Sequence, residues 1–541
     1  MEYDLILKSG TVHDGSGGPP YAADVAVSGD KIAAIGELSD AQAAQTLDCT
    51  GFVISPGFVD IHSHSDLSLL HNPRAESKIR QGVTTECTGQ CGLGVFPVSE
   101  LRQHELQQIC SFIVPTAESW RWETAAEYLA VLREARPSVN VVPMVAHTPI
   151  RAEVMGFEAV EATPQQIEQM CHLAQECFDG GAVGLAFGLA YALGSAAATD
   201  EILALCRVAA QNGKHVSVHI RNEGADVISS LEEMTGIARQ LDDEGHRLRL
   251  QIDHLKTSGP RNWHLAEAAL EALEQAHQEG LDVAFDVYPY AVASRHLSGS
   301  FPPWMFAGGT DMLLKRLADP QIRQQYRNQL TEWEAERTEH HPLEFDFNRI
   351  MISNVQSEEN QRLIGMFLSD LIDERDGDPI DVVFDLLIEE RAHIDVVLHS
   401  MDESSVERNL KHPLSMVGSD GFALAPYGVL AVGRPHPRSY GTFPRFLGRY
   451  VRERGIMELP AAIHKCTARP ASRLNLSDRG LLKVGYKADV TVFDPDTIID
   501  RATYEDPHQY SEGIAHVIVN GQLTLSEGEH TDAGAGTVLR N

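Results

Sequence analysis

Apolar and polar positions change rhythm twice along the chain. Over residues 1–55 short alternating runs recur: Tyr3-Asp4-Leu5-Ile6-Leu7, Asp24-Val25-Ala26-Val27 and Lys31-Ile32-Ala33-Ala34-Ile35. The last two flank the turn Ser28-Gly29-Asp30, and Gly15 to Pro20 reads as a loop. The same texture returns in Ala488–Phe493 and in His516–Val519, which runs into Asn520-Gly521. Neither end has the apolar surface for a domain of its own. Both are therefore expected to pair into one small β-sandwich, built from residues 1–56 and 473–541.

Between the ends, strand patterns alternate with helix patterns. The strand candidates are Val53–His62, Val83–Thr88, Val139–His147, Ala182–Phe187, His215–His219, Leu248–His254, Asp282–Tyr288 and Leu414–Ser419. Several are apolar throughout, as strands buried on both faces are. Thr163-Pro164-Gln165-Gln166 is a capping box with proline at the first helical position, and Gly180-Gly181 closes that helix. Leu265–Gly280 reads as another helix. Strands with helices between them predict an α/β fold, a TIM (β/α)8 barrel over residues 57–472. The stretch after the seventh strand is long. In it Leu314–Thr338 reads as a charged helix and Pro379–Arg391 as another, while His393–His399 is a further strand candidate that leaves the strand count open. An insertion over residues 296–400 is expected where barrel enzymes carry lids.

In such a barrel chemistry sits at the C-terminal strand ends. The first candidate ends in His62-Ser63-His64, and residues two apart point to one side of a strand. Two imidazoles side by side are half of a metal site, or two surface histidines. The second candidate runs into Cys91 within Thr88-Gly89-Gln90-Cys91-Gly92, the fifth ends in His219, the sixth in His254, and the eighth reaches Asp420. A single histidine at a strand end is more often structural; the convergence of all of them on one barrel face is what points to a metal. Cysteine with two histidines satisfies zinc and leaves a position for water, whose pKa zinc lowers. An aspartate beside it can take the water's proton and pass it to a leaving nitrogen.

Composition narrows the partners. With 77 acidic against 44 basic residues the net charge is −33, which argues against nucleic acid and anionic membranes. No apolar run has the length of a membrane span. The start, Met1-Glu2-Tyr3-Asp4-Leu5, has no basic segment, so no signal peptide is expected. Eight cysteines without pairing-like spacing read as reduced thiols of a cytoplasmic protein.

The constellation resembles the amidohydrolase superfamily and, more narrowly, its D-aminoacylase (N-acyl-D-amino-acid deacylase) family. The stretches that carry the resemblance are Gly57–Asp66, Gln81–Glu86, Gly89-Gln90-Cys91-Gly92, Tyr288-Pro289-Tyr290, Gly418-Ser419-Asp420-Gly421 and His436–Arg445. Hydantoinases and dihydroorotases of the superfamily bridge two metals with a carboxylated lysine on strand four. Here strand four has no lysine, nor has any position between Lys78 and Lys214. The resemblance puts Cys91 in that role. It implies a tightly held Zn2+ on Cys91, His219 and His254, and a weaker second position on His62, His64, Cys91 and Asp420. It further implies Asp420 as general base and acid, with an N-acyl-D-amino acid as the small-molecule substrate. Arg438 would grip the substrate α-carboxylate, with Tyr290 adding a hydrogen bond; without the family, Arg438 would read as a surface ion pair.

Two departures bear on specificity. His254-Leu255-Lys256 stands where many relatives have His-His-Lys, and Arg295 follows Tyr290 where relatives carry small residues. Lys256 and Arg295 are therefore candidate substrate contacts, Arg295 either for an acidic side chain or as a solvated loop residue. The rival readings are a cyclic amidase or other C–N hydrolase on this scaffold, and a non-catalytic barrel that kept the fold.

Overall fold

The apolar strand candidates assemble into one parallel sheet in the computed structural model, which describes residues 2–110, 120–336 and 346–540. The barrel strands are β1 (Phe58–Asp60), β2 (Val83–Thr88), β3 (Asn140–Ala146), β4 (Gly184–Gly188), β5 (His215–His219), β6 (Arg249–Ile252), β7 (Asp282–Val287) and β8 (Ser415–Val417). They pair in sequence order. Nearly every residue in them is buried, because helices cover the outside and side chains fill the inside. Closure between β8 and β1 occurs just beyond the strand ends, through a parallel bridge of Ser63 with Gly421. There His64 N donates to Gly421 O at 2.9 Å and Asp420 N to His62 O at 2.8 Å. The seam that closes the barrel thus brings His62, His64 and Asp420 together.

The helices follow their sequence signals. Pro164–Gly180 has the reciprocal Thr163–Gln166 capping box, and Gly181 ends it in the left-handed region at φ 115°. Ala266–Gln278 covers the next predicted helix.

The expected single strand Val53–His62 is corrected. Val53–Pro56 pairs with Val490–Phe493 in the terminal sheet, and only Phe58–Asp60 belongs to the barrel. The chain changes sheets at Gly57, whose N–H goes to Asp489 O at 2.9 Å. A Cβ at Gly57 would collide with Thr84. An apolar run carries no sign of such a handover.

Both termini contribute to one nine-stranded sheet, joined where Val490–Phe493 lies antiparallel to Val53–Pro56. Its core is Leu5, Leu7, Val25, Val27, Ile54, Val490, Val492 and Ile518. The last residues leave that sheet: Val538 bridges to Val141 of β3.

The segment after β7 is a unit with its own core rather than a simple flap. Ala293–His296, Ile394–Leu398 and Ile350–Val355 form a three-stranded antiparallel sheet in that order. Helices pack on it around Leu313, Leu317, Phe384 and Leu387. Ile394–Leu398 therefore belongs here and not to the barrel. The expected helix Leu314–Thr338 is two, Thr310–Ala318 and Pro320–Glu336; Thr338 lies outside the described residues. Proline disfavours the helical conformation of the residue before it, and Asp319 is extended with φ −82° and ψ 118°.

Behind the seam lies a buried ionic knot. Lys78 Nζ donates to Asp60 Oδ2 at 2.7 Å and to Ser419 Oγ at 2.8 Å, with Glu86 Oε2 at 3.6 Å. Asp60 Oδ1 accepts from Ser419 N at 2.8 Å, which ties β1 to the segment carrying Asp420. Burial pushes the Glu86 carboxyl up, and Lys78 opposes it. Removing one member of a buried pair leaves the others uncompensated. Lys78→Met is expected to lose about 3–5 kcal/mol of stability, read from the denaturant midpoint; an unchanged midpoint would refute it.

Candidate metal centre

Three of the predicted donors share an unusual backbone. Cys91 (φ 55°), His254 (φ 31°) and Asp420 (φ 50°) all occupy positive φ, which side chains other than glycine seldom adopt. Each lies just past its strand, where the kink turns the side chain across the barrel mouth. All three are buried, as are His62, His64 and His219.

The Cys91 loop is seated on β4. A Cβ at Gly188 would collide with the Cys91 carbonyl oxygen, and one at Gly92 with the Gly188 backbone. So the bare end of β4, which lacks a side chain altogether, makes room for a cysteine from β2. Gln90 Nε2 reaches Ile61 O at 3.1 Å and Gly89 N donates to Asp66 Oδ2 at 3.2 Å, pinning the loop from both sides. Burial, opposed by the Gly89 hydrogen bond, pushes Asp66 up to about 7. Gly188→Ala is expected to displace Cys91 and to lower bound metal severalfold, checked by metal analysis of purified protein. Full metal content in that variant would show that the contact does not matter.

The donors converge. Cys91 Sγ is 3.3 Å from His62 Nε2 and 3.3 Å from His254 Nε2. Asp420 Oδ1 is 3.4 Å from His62 Nε2 and 2.9 Å from His64 Nε2. Ligand atoms of His62, Cys91, His254 and Asp420 all lie within 4.8 Å of one another. His219 forms a second such group with Glu223 and His254, its ring 4.6 Å from that of His254. Its Nε2 is 3.6 Å from Glu223 Oε2. Thus His254 is common to both groups.

The surrounding residues orient the imidazoles. His62 Nδ1 faces Asp286 Oδ1 at 3.1 Å, which turns Nε2 toward Cys91 and Asp420. His254 Nδ1 faces Glu223 Oε1 at 3.0 Å and Lys256 Nζ at 2.7 Å. Lys256 Nζ also donates to Glu223 Oε1 at 2.6 Å. Burial disfavours a charged His62, yet Asp286, Cys91, Asp253 and Asp420 outweigh it and hold its pKa well above normal. Burial pushes His64 down to about 4 against its hydrogen bond with Asp420. For Asp420 burial would raise the carboxyl; Arg438, His254, His62 and the bond from His64 win and hold it well below the usual range. Burial likewise opposes a charged Glu223, but His219, Lys256 and His254 overcome it.

Arg438 is no surface residue. It is 2% exposed, its Nη1 is 2.7 Å from Asp420 Oδ2, and its guanidinium lies 5.0 Å from the centroid of the Tyr288 ring. Tyr290 is not brought to the cluster: it packs against His436 and under Arg445, whose guanidinium is 4.5 Å from its ring centroid. Tyr288 stands nearer, with Lys256 also over its ring and a buried hydroxyl that has no partner among the described residues. Arg295 is half-buried on the insertion's first strand. Burial lowers its pKa, opposed by Tyr191, Glu223 and Tyr288.

Sequence reasoning missed Glu223, Asp286, Tyr288 in this role, and Lys78. Asp286 left a signal, an acid within an apolar barrel strand. Glu223 and Lys78 lie in segments with no pattern to single them out.

Residues 45–525 match the amidohydrolase family. A D-aminoacylase of Alcaligenes xylosoxydans xylosoxydans is 35% identical, covering 99% of this chain and 97% of its own. A D-aminoacylase solved to define the functional role of its binuclear metal center is 34% identical, with a TM-score of 0.82 over 100% of both chains. The N-acyl-D-glutamate deacylase of Bordetella bronchiseptica, solved with zinc and a phosphonate mimic of the tetrahedral intermediate, is 31% identical with a TM-score of 0.83 over 100% of both chains. Sequence and fold agree over the whole length, and the chain belongs to the amidohydrolase family, among its D-aminoacylases and N-acyl-D-amino-acid deacylases.

Proposed function

We propose that the protein is a zinc-dependent hydrolase of N-acyl-D-amino acids that releases a carboxylate and a free D-amino acid. The observation that carries this reading is the group His62, Cys91, His254 and Asp420, with His64 and His219 adjoining, at the barrel mouth. The donor set fits zinc: imidazole nitrogens, one sulfur and one carboxylate, all buried. Burial pushes the Cys91 thiol up, with His62 opposing, so the thiolate wants a cation beside it. Zinc, when bound, lowers the pKa of water and polarises a carbonyl. In this reading Cys91, His219 and His254 hold the tight ion, and His62, His64, Cys91 and Asp420 form the weaker position.

The chain's own residues do the rest. Asp420, ionised, takes the proton of the attacking water and returns it to the departing nitrogen, which leaves as the amine. His64 holds the Asp420 carboxylate in place. Arg438, with Lys256 and the Tyr288 hydroxyl around the same ring, supplies the pocket for the α-carboxylate. Its present partner is Asp420 Oδ2, so a bound substrate carboxylate shares the guanidinium with the base. Arg295 Nε has no hydrogen-bond partner among the described residues, which favours an acidic substrate side chain such as D-glutamate or D-aspartate. All eight cysteines are free thiols, in keeping with a cytoplasmic setting.

A panel of N-acetyl-D and N-acetyl-L amino acids, with a hydantoin beside them, tests this. Turnover of the D compounds, highest for glutamate or aspartate, is expected. A preference for neutral side chains would remove Arg295 from the acidic pocket. Activity on the hydantoin alone would replace the linear amidase with the cyclic one.

A further inference from the structure

We propose that the barrel mouth opposite the metal centre binds a small oxyanion. A cavity of about 120 Å3 lies between the starts of β4, β5 and β6 and is roofed by Leu474 and Asn475; His215, Lys214 and Arg249 line it. β5 therefore carries a histidine at each end: His219 at the metal centre and His215 here.

His215 is 3% exposed, and neither ring nitrogen has a hydrogen-bond partner among the described residues. Burial, reinforced by Arg473 and Arg249, keeps it neutral, so it offers one N–H donor and one acceptor to the cavity. A buried donor left unmet is costly, and such groups are normally satisfied. The charges around it are cationic. Arg473 Nη1 pairs with Asp282 Oδ1, and Arg249 Nε is 3.7 Å from the second oxygen of the same carboxylate. Lys214 lies 5.8 Å from the Phe178 ring centroid and feels Asp179. Arg469 acts on Arg473 as well, and burial together with these cations pulls Arg473 down to about 10 against Asp282. Among the described residues, Lys214 and Arg249 line the cavity, and Arg473 shares the Asp282 carboxylate with Arg249. In a chain of net charge −33 such a corner is unusual.

A cation-lined cavity with an unmet N–H is built for an acceptor carrying negative charge. At roughly 10–15 Å3 per water on this measure, the cavity has room for an ion of phosphate or acetate size. Inorganic phosphate and the short carboxylate that amide hydrolysis releases share this chemistry.

The test uses the metal-loaded enzyme. Phosphate and, separately, acetate are titrated while the imidazole resonances of His215 and the thermal midpoint are followed. A control holds ionic strength constant with sodium chloride. Saturable movement of the His215 signals and a rising midpoint are expected, and the tighter of the two anions identifies the source. Arg249→Met is expected to weaken binding about tenfold, the worth of one charge-assisted hydrogen bond, with kcat/KM in anion-free buffer unchanged. Phosphate that reaches the metal centre is unaffected by that variant, so the difference isolates this end of the barrel. Lys214→Met is the second variant if Arg249→Met does not fold. His215 signals that stay still, or equal affinity in wild type and variant, would overturn the proposal.

Discussion

Asp420→Asn is expected to keep the fold and bound zinc while kcat falls about 10²–10⁴-fold, the usual worth of a general base and acid. The geometry explains why this substitution is clean. Asp420 Oδ1 faces His64 Nε2 at 2.9 Å, and Oδ2 accepts from Arg438 at 2.7 Å. An asparagine can keep its oxygen toward Arg438 and give its N–H to His64, whose neutral ring accepts at Nε2 in the other tautomer. The positive-φ backbone at position 420 is tolerated by asparagine better than by most residues. What the amide cannot do is carry a proton from water to the leaving nitrogen. Metal analysis and circular dichroism check the first half, and steady-state kinetics the second. Turnover close to wild type would remove Asp420 from the chemistry.

The second large effect concerns which histidines hold the metal. His219→Ala is expected to lose the tight zinc and with it activity; His62→Ala is expected to keep about one ion and lose mainly kcat. Cys91→Ala should lose both positions, because its sulfur touches His62 and His254 alike at 3.3 Å. The competing outcome has a structural basis. His62 belongs with Cys91, His254 and Asp420 in the densest donor group, whereas His219 Nε2 is turned to Glu223. A group already within 4.8 Å needs little movement to close on an ion. His219 must turn from Glu223, which Lys256 and His254 can then neutralise at 2.6 and 3.0 Å. Metal analysis after gel filtration decides between them: zinc retained in His219→Ala and lost in His62→Ala would reverse the assignment.

Much of the site was legible because strand ends are legible. An apolar run ending in histidine, cysteine or aspartate marks both a strand and the side of the barrel its last residue reaches. That logic placed His62, Cys91, His219, His254 and Asp420 on one face. Tyr290 came from the family resemblance instead, and in the structure Tyr288, two residues earlier and just past β7, is the tyrosine beside Arg438. Strand-end logic could not see Arg438 as a partner of Asp420, because that contact joins a helix start to a loop across the mouth.

The sequence by itself determined the barrel, the donor types and the missing lysine on β4. Each depends on local pattern: strand length, periodicity and the residue that ends the run. Tertiary structure alone decided where the chain changes sheets at Gly57, that the β7 insertion has its own core, and that β8 and β1 close through Ser63 and Gly421. It alone showed that Lys78 locks that seam and that Glu223 and Asp286 orient His254 and His62. These are contacts between residues far apart in the chain. Their partners are chosen by backbone path and packing, and no local pattern encodes that choice.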